Sequence, residues 1–243
     1  MPNLLVIGHA GAGGEAPENT LAGVRASLAA AAEAMEIDVQ LCADGVPVLM
    51  HDETLDRTTS LSGTVREASL AALRAASAGP SQNVPTLDEV LDLVAGQLTV
   101  MCELKATPNE PACDERLVNA TLAVIERHSA HTWTAIHSFK PGIVAHSRAT
   151  EARISAAIIS LPVDGDRLER LLSATVKRNA QAVSIHHACI DRALVVRARQ
   201  RQISVWAWTA DTPADWARLA TAGVDGIITN VPARMRAWLN ANP

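Results

Sequence analysis

Short apolar runs recur along this chain, separated by amphipathic stretches, and the alternation is nearly unbroken. Residues 4–8 form an uninterrupted apolar run of strand length. Asn19 or Thr20 caps a helix expected to reach about Glu33. Residues 35–41 read as the second strand; Asp44-Gly45 signals a tight turn, and residues 46–50 a returning strand. The polar stretch 52–85, with a short helix near 67–76, reads as an insertion between the second strand and its helix. Thr86 then caps a helix to about Val94, and Glu89 completes a capping box. Residues 98–104 give the third strand, followed by a helix to about Arg127. Residues 133–137, 153–159, 181–186, 203–208 and 226–229 supply strands four to eight, with a last helix from about Pro232.

Eight strands alternating with helices imply a single (β/α)₈ barrel spanning residues 1–243, and such barrels typically run to ~250 residues. A doubly wound open sheet is the alternative, but residues 8–14 do not fit the G-x-G-x-x-G dinucleotide fingerprint. Composition agrees with a barrel. The apolar content is mostly Ala, Leu, Val and Ile, with one Phe and no Tyr, which suits a parallel sheet buried on both faces. A net charge of −5 argues against a nucleic-acid partner. It leaves room for a phosphate-bearing substrate, because a bound metal reverses the local sign. Cys42, Cys102, Cys113 and Cys189 contain no C-x-x-C pair and read as reduced packing thiols. With no leader pattern and no apolar run near ~20 residues, the chain reads as soluble and cytoplasmic, without stable membrane association. Its oligomeric state is left open.

In such a barrel, reactive groups sit at the C-terminal strand ends. Here those ends carry His9, Glu36, Asp38, Glu103, Lys105, His137, His186 and Trp208. Glu36 and Asp38 are two apart on one strand and share a face, and Glu103 and Lys105 repeat the arrangement. Three carboxylates on one small surface repel, so without a cation one takes up a proton. A hard divalent ion, Mg²⁺ or Ca²⁺ rather than zinc, resolves the conflict. Solvated surface charge is the alternative, and the apolar strand around Glu36 and Asp38 argues against it. If Asp44-Gly45 is a two-residue turn, Asp38 lies directly opposite His51. His9 and His51 then converge on the carboxylates, a placement suited to acid–base work. His128, His131 and His146 read as solvated, one of His186 and His187 is a candidate to reach the pocket, and Asn230 reads first as a helix cap.

Several blocks together resemble the glycerophosphodiester phosphodiesterases: G-H-A-G-A-G-G-E-A-P-E-N-T at 8–20, E-I-D-V-Q-L-x-x-D-G-V-P-V-L-M-H-D at 36–52, L-D-R-T-T at 55–59, V-P-T-L-D-E-V-L at 84–91 and C-E-L-K at 102–105. H-S-F at 137–139, V-W-A-W-T at 205–209 and V-D-G-I-I-T-N at 224–230 extend the resemblance to the C-terminus. It implies hydrolysis of glycerophosphodiesters to sn-glycerol 3-phosphate and an alcohol. It also implies one divalent metal held by Glu36, Asp38 and Glu103, with His9 and His51 as the acid–base pair. Lys105 would face the phosphate and Trp208 would line the pocket. The attacking oxygen is either water or the glycerol 2-hydroxyl, and the assignment of acid and base is left open.

The family's usual H-R-G is here His9-Ala10-Gly11, so an expected phosphate-binding arginine is absent. Losing one preorganised donor costs ~10²–10³ in rate, unless Lys105 or Arg57 supplies the charge or the substrate differs. Two rivals follow. One is a phospholipase-D-like enzyme forming cyclic phosphates from lysophospholipids or sphingomyelin, and the other is a barrel that binds a phosphodiester without turning it over. Retention of both histidines and all three carboxylates argues against the second.

Overall fold

The computed structural model describes residues 4–242. Eight parallel strands close into a barrel: β1 (Leu5–Gly8), β2 (Ala34–Leu41), β4 (Thr99–Leu104), β5 (Thr134–Ser138), β6 (Ser155–Ser160), β7 (Ala182–His186), β8 (Ser204–Trp208) and β9 (Gly226–Thr229). Pairing of β1 with both β9 and β2 closes the ring. The chain is thus a (β/α)₈ barrel, as its alternating pattern implies. Helices α1 (Leu21–Ala29), α3 (Leu87–Val94), α4 (Pro111–Arg127), α5 (Pro141–Thr150), α6 (Gly165–Lys177), α7 (Arg192–Arg199), α8 (Pro213–Ala222) and α9 (Pro232–Ala241) surround it. No helix among the described residues is long and apolar enough to cross a membrane.

The outward strand faces and the helices bury a branched-aliphatic layer. Val24, Ile37, Val39, Leu91, Val100 and Ile125 represent one side, and Leu172, Val183, Val205 and Leu219 the other. Inside the barrel Ile7, Ala34, Met101, Ala135 and Ile228 form an apolar plug, joined by Leu5, Trp206 and Trp208. With the plug filled, polar residues one layer further along each strand emerge at the C-terminal mouth.

Helix starts follow the sequence closely. Thr20 accepts from Gly23 N to cap α1, and Thr86 with Glu89 forms the full capping box of α3. Helix α1 stops at Ala29, four residues short of the expected end. Ala31 takes a left-handed φ of 50° there, turning the chain into β2. In the insertion, a 3-10 turn (Val65–Glu67) and helix α2 (Leu70–Ala75) replace the one helix expected near 67–76. This segment carries its own small core of Met50, Leu55, Val65, Leu73 and Val84 against Cys42 and Val48. Cys42 and Cys102 are buried free thiols, and Cys113 and Cys189 are also free and half-buried.

The hairpin after β2 departs from the expected register. Strand β3 (Pro47–Leu49) pairs Val39 with Leu49 and Leu41 with Pro47, so Met50, whose N–H donates to Asp38 O at 3.0 Å, lies opposite Asp38. The cause is the turn. Cys42 N–H donates to Val46 O, leaving the three residues 43–45 as the loop, with Gly45 at φ 71°. That is the three-residue hairpin, whose third residue needs a left-handed glycine. His51 therefore sits one residue past the position facing Asp38 and leaves the ladder altogether.

Candidate active site

Strand register sets the site. Asp38 pairs with Glu103, and Glu103 with His137, so three neighbouring strands present polar groups at one level. Glu36, Glu103 and His137 line a cavity of about 240 Å³ at the barrel mouth, together with His9, His51, Lys105, Phe139, Ser184 and Trp208. One ligand atom from each of Glu36, Glu103 and His137 lies within 4.8 Å of the others. The cavity continues into a larger one of about 920 Å³ that shares His51, Glu103, Lys105 and Phe139 and runs out between the β2–β3 hairpin and α4.

Asp38 is held differently. Its Oδ1 lies 2.7 Å from Lys105 Nζ, and its Oδ2 accepts from Asn19 Nδ2 at 2.7 Å. Asn19 closes a second bond by accepting from Asp38 N–H at 3.0 Å. Lys105 Nζ also lies 2.5 Å from Glu103 Oε1, so the ammonium bridges two of the three carboxylates. Glu36 gets less help: Oε2 accepts from Ala10 N–H at 2.9 Å, and Oε1 is buried without a hydrogen-bond partner.

These contacts decide the charges. Burial first, then the charges of Asp38 and Glu103, raises the Glu36 carboxyl well above the usual range. Burial and Asp38 also raise Glu103, against the pull of Lys105. For Asp38 burial acts the same way, but Lys105 outweighs it and the carboxyl is held low. The Lys105 ammonium loses solvation on burial, yet the two carboxylates hold its pKa above the ordinary lysine value. His137, buried among these groups, is pushed down to about 3 by loss of solvent, so its imidazole is neutral at physiological pH.

A divalent cation fits this donor set. The three carboxylates carry more negative charge than Lys105 offsets. Glu36 Oε1 and both ring nitrogens of His137 are buried without partners, and buried polar atoms in folded proteins are rarely left so.

His9 and His51 flank the cluster, each fixed by a different partner. His9 Nδ1 lies 2.7 Å from Asn230 Oδ1, and its Nε2 3.9 Å from Glu36 Oε2. Asn230 in turn donates from Nδ2 to Asp211 Oδ2 and from its backbone N–H to Asp211 Oδ1, both at 2.7 Å. A carboxylate can only accept, so the Asn230 nitrogen faces Asp211 and its oxygen faces His9. The proton of neutral His9 is then on Nδ1, and Nε2 carries the lone pair toward the cavity. His51 Nδ1 lies 2.7 Å from Asp52 Oδ1. Arg57 grips Asp52 and Glu18 together, and the Asp52 carboxyl is pushed down to about 2, chiefly by its bond to Arg57. Removing the Asn230 acceptor by Asn230→Ala forfeits a hydrogen bond worth ~1.5 kcal/mol. We expect kcat to fall ~10-fold with KM little changed and the melting temperature lowered by a few degrees through the lost bonds to His9 and Asp211; unaltered kcat would remove Asn230 from the positioning of His9.

Residues 9–234 match the glycerophosphoryl diester phosphodiesterase family. The chain belongs to that family. It is 30% identical over 239 residues to a glycerophosphodiester phosphodiesterase from Caldanaerobacter subterraneus subsp. tengcongensis, covering 94% of each chain. A solved structure from Silicibacter pomeroyi DSS-3 superposes with a TM-score of 0.92 at 32% identity, covering 100% of this chain and 95% of that one. An Oleispira antarctica phosphodiesterase, solved in complex with its product sn-glycerol-3-phosphate, superposes with a TM-score of 0.88 at 25% identity, covering 97% and 96%.

Within this family member, the remaining candidates fall into place unevenly. Trp208 lines the cavity and anchors its indole by donating from Nε1 to Ser184 O at 3.0 Å. His186 packs edge-on against Trp208 with ring centroids 5.2 Å apart, behind the cavity wall. His187 turns away toward Asp215 and Arg218. His131 corrects the expectation of a solvated group. It is buried where α4 leads into β5, against Glu126, Glu151 and Arg153. His128 is half-buried against Asp88, and His146 bonds Asn119.

Asn230 is not the helix cap either, because Val231 takes that position in α9. The sequence signal for Asn19, Asp52 and Asn230 was present, since each lies inside a block that carries the family resemblance. Their roles depend on side-chain partners far away in sequence. Asp211 carried no comparable signal.

Proposed function

We propose that this chain hydrolyses glycerophosphodiesters to sn-glycerol 3-phosphate and an alcohol. The observation that carries the reading is the pair of oriented imidazoles, His9 and His51, on either side of a carboxylate cluster that fits a divalent cation. In this reading Glu36, Asp38 and Glu103 supply oxygens to the ion, and a carboxylate set of this kind matches Mg²⁺ or Ca²⁺. When bound, the cation polarises the phosphate and offsets charge developing at phosphorus.

The side chains divide the remaining work. Lys105, held at the cavity edge by Asp38 and Glu103, presents its ammonium to a phosphate oxygen. Trp208 and Phe139, packed edge-to-face at 5.6 Å, form an apolar wall for the glycerol or alcohol carbon chain. His9 is backed by a neutral amide and offers a lone pair at Nε2, so it takes the proton from the attacking oxygen. His51 is backed by the Asp52 carboxylate, which compensates an imidazolium, so it delivers a proton to the leaving alkoxide.

The test is a panel of glycerophosphodiesters (choline, ethanolamine and glycerol head groups) incubated with Mg²⁺, Ca²⁺ or chelator and followed by ³¹P NMR. Glycerol 3-phosphate is expected with metal and not with chelator. A lasting cyclic phosphate would move the chain to the phospholipase-D-like rival that forms cyclic phosphates, and no turnover of any diester would overturn the reading.

Ala10 marks where this member departs from the family pattern. Its N–H holds Glu36, its side chain is buried, and its φ is 48°. The cost of that left-handed backbone arises at Cβ and is already borne by alanine, so an arginine adds no backbone strain of its own, though its longer side chain needs room around the buried Cβ. A guanidinium matches phosphate oxygens bidentately. Ala10→Arg should lower KM for glycerophosphocholine ~10-fold with kcat preserved. Loss of activity toward every diester would mean that the pocket is built around a different substrate.

A further inference from the structure

Among the titratable side chains lining the cavity, His137 is the one that the proposed scheme leaves unused. It is 2% exposed, and neither ring nitrogen has a hydrogen-bond partner. An unmet buried donor or acceptor costs ~1–3 kcal/mol, so an imidazole unmet at both atoms calls for a ligand.

A neighbouring carboxylate supplies the direction. His137 Nε2 lies 4.0 Å from Glu36 Oε1, beyond hydrogen-bond reach, and that oxygen is itself buried and unpartnered. A Glu103 oxygen completes the triangle. Two ligand atoms each ~2.1 Å from a shared ion are at most ~4.2 Å apart, so the nitrogen–oxygen separation suits one cation between them. Strand register makes the placement firm, because His137 pairs directly with Glu103 in β5 and β4.

Resting on the metal reading above, we propose that His137 adds a nitrogen ligand to the oxygen set of this centre. The consequence is selectivity. Carboxylates alone serve Mg²⁺, Ca²⁺ and Mn²⁺, whereas imidazole favours first-row transition ions over the two harder cations. This site should therefore bind Mn²⁺ in clear preference to Mg²⁺ or Ca²⁺.

The experiment uses metal-stripped full-length protein titrated separately with Mn²⁺, Mg²⁺ and Ca²⁺ by calorimetry. Pulsed EPR of the Mn²⁺-loaded form supplies a readout independent of turnover. A ¹⁴N coupling is expected, and it should be replaced by the ¹⁵N signature in protein labelled only at histidine. That coupling should vanish in His137→Gln, with the Kd for Mn²⁺ weakened at least ~10-fold, the lower end of what even outer-shell changes cost. The Kd for Ca²⁺ should stay near wild type. Mn²⁺ binding without histidine coupling in the wild type, or coupling that persists in His137→Gln, overturns the inference and leaves the metal reading intact. Failure to bind any of the three ions overturns both. The same coupling measured in His9→Ala and His51→Ala decides the matter even if His137→Gln folds poorly: it should persist in both, and its loss in either would assign the nitrogen to that residue and overturn the inference.

Discussion

Replacing His9 by alanine should lower kcat by ~10²–10⁴ on every glycerophosphodiester, the range typical of a lost general acid or base. His51→Ala should lose as much on choline or ethanolamine esters, where the alkoxide needs a proton to leave. The two variants should separate on a p-nitrophenyl phosphodiester. Nitrophenolate departs without a proton, so His51→Ala recovers most of its rate there while His9→Ala does not. The division follows from the partners. Asn230 Oδ1 fixes the His9 proton on Nδ1, and the Asp52 carboxylate backs His51. Neither histidine is buried in the apolar core, so both variants should keep the wild-type circular dichroism spectrum. Equal recovery of both variants on the nitrophenyl ester would undo the assignment, and a near wild-type rate for either on choline esters would remove that residue from the reaction.

The barrel was legible because each element announces itself locally. Apolar runs of strand length, caps at Thr20 and Thr86, and Pro232 in the first turn of its helix mark boundaries within a residue or two. The two-residue alternation put Glu36 with Asp38 on one face of their strand, and Glu103 with Lys105 on one face of theirs, for the same reason: strand geometry alone decides each pair. The hairpin register failed at one residue because Asp44-Gly45 fits both a two- and a three-residue loop. Only the bond from Cys42 N–H to Val46 O distinguishes them. His51 still reaches the cavity, carried there by chain direction and by Asp52 rather than by strand pairing.

His137 shows a different limit. Its level opposite Glu103 was readable only once the offset between two strands was known, and offsets in parallel sheets are set by packing and crossover length rather than by any local motif.

Glu36→Gln should abolish function and stabilise the metal-free protein at the same time. Removing this carboxylate costs the cluster a charged ligand and with it the transition-state stabilisation a bound cation supplies, several kcal/mol. The activity should fall by roughly 10³ or more at 1.36 kcal/mol per tenfold. Stability moves the other way because the carboxyl is in an unfavourable place when no metal is present. Glu36 and Glu103 have folded-state pKa values above those of the unfolded chain, through burial and the charge of Asp38, with Glu103 adding to Glu36. Their contribution is therefore fully present below the ordinary glutamate pKa of ~4.3 and is lost as pH rises through the raised values. Asp38, held low by Lys105, has the opposite sign, but its stabilisation is complete above ~3.9 and does not change across that window. In metal-free wild-type protein the two glutamates thus raise the melting temperature as pH falls from neutrality toward the glutamate range. His137, held down to about 3, acts the other way below ~6.5, so the Glu36 part is read as the difference between wild type and variant. In Glu36→Gln, whose amide is nearly the same size and carries no charge, the melting temperature at pH 7 should rise above that of the metal-free wild type, and this advantage should shrink as pH falls toward the glutamate range. Cation should no longer shift the variant's melting temperature appreciably. A melting temperature below that of the metal-free wild type would mean that Ala10 N–H and the surrounding dipoles stabilise the ionised carboxylate more than burial opposes it, and the electrostatic picture of the centre would have to be redrawn.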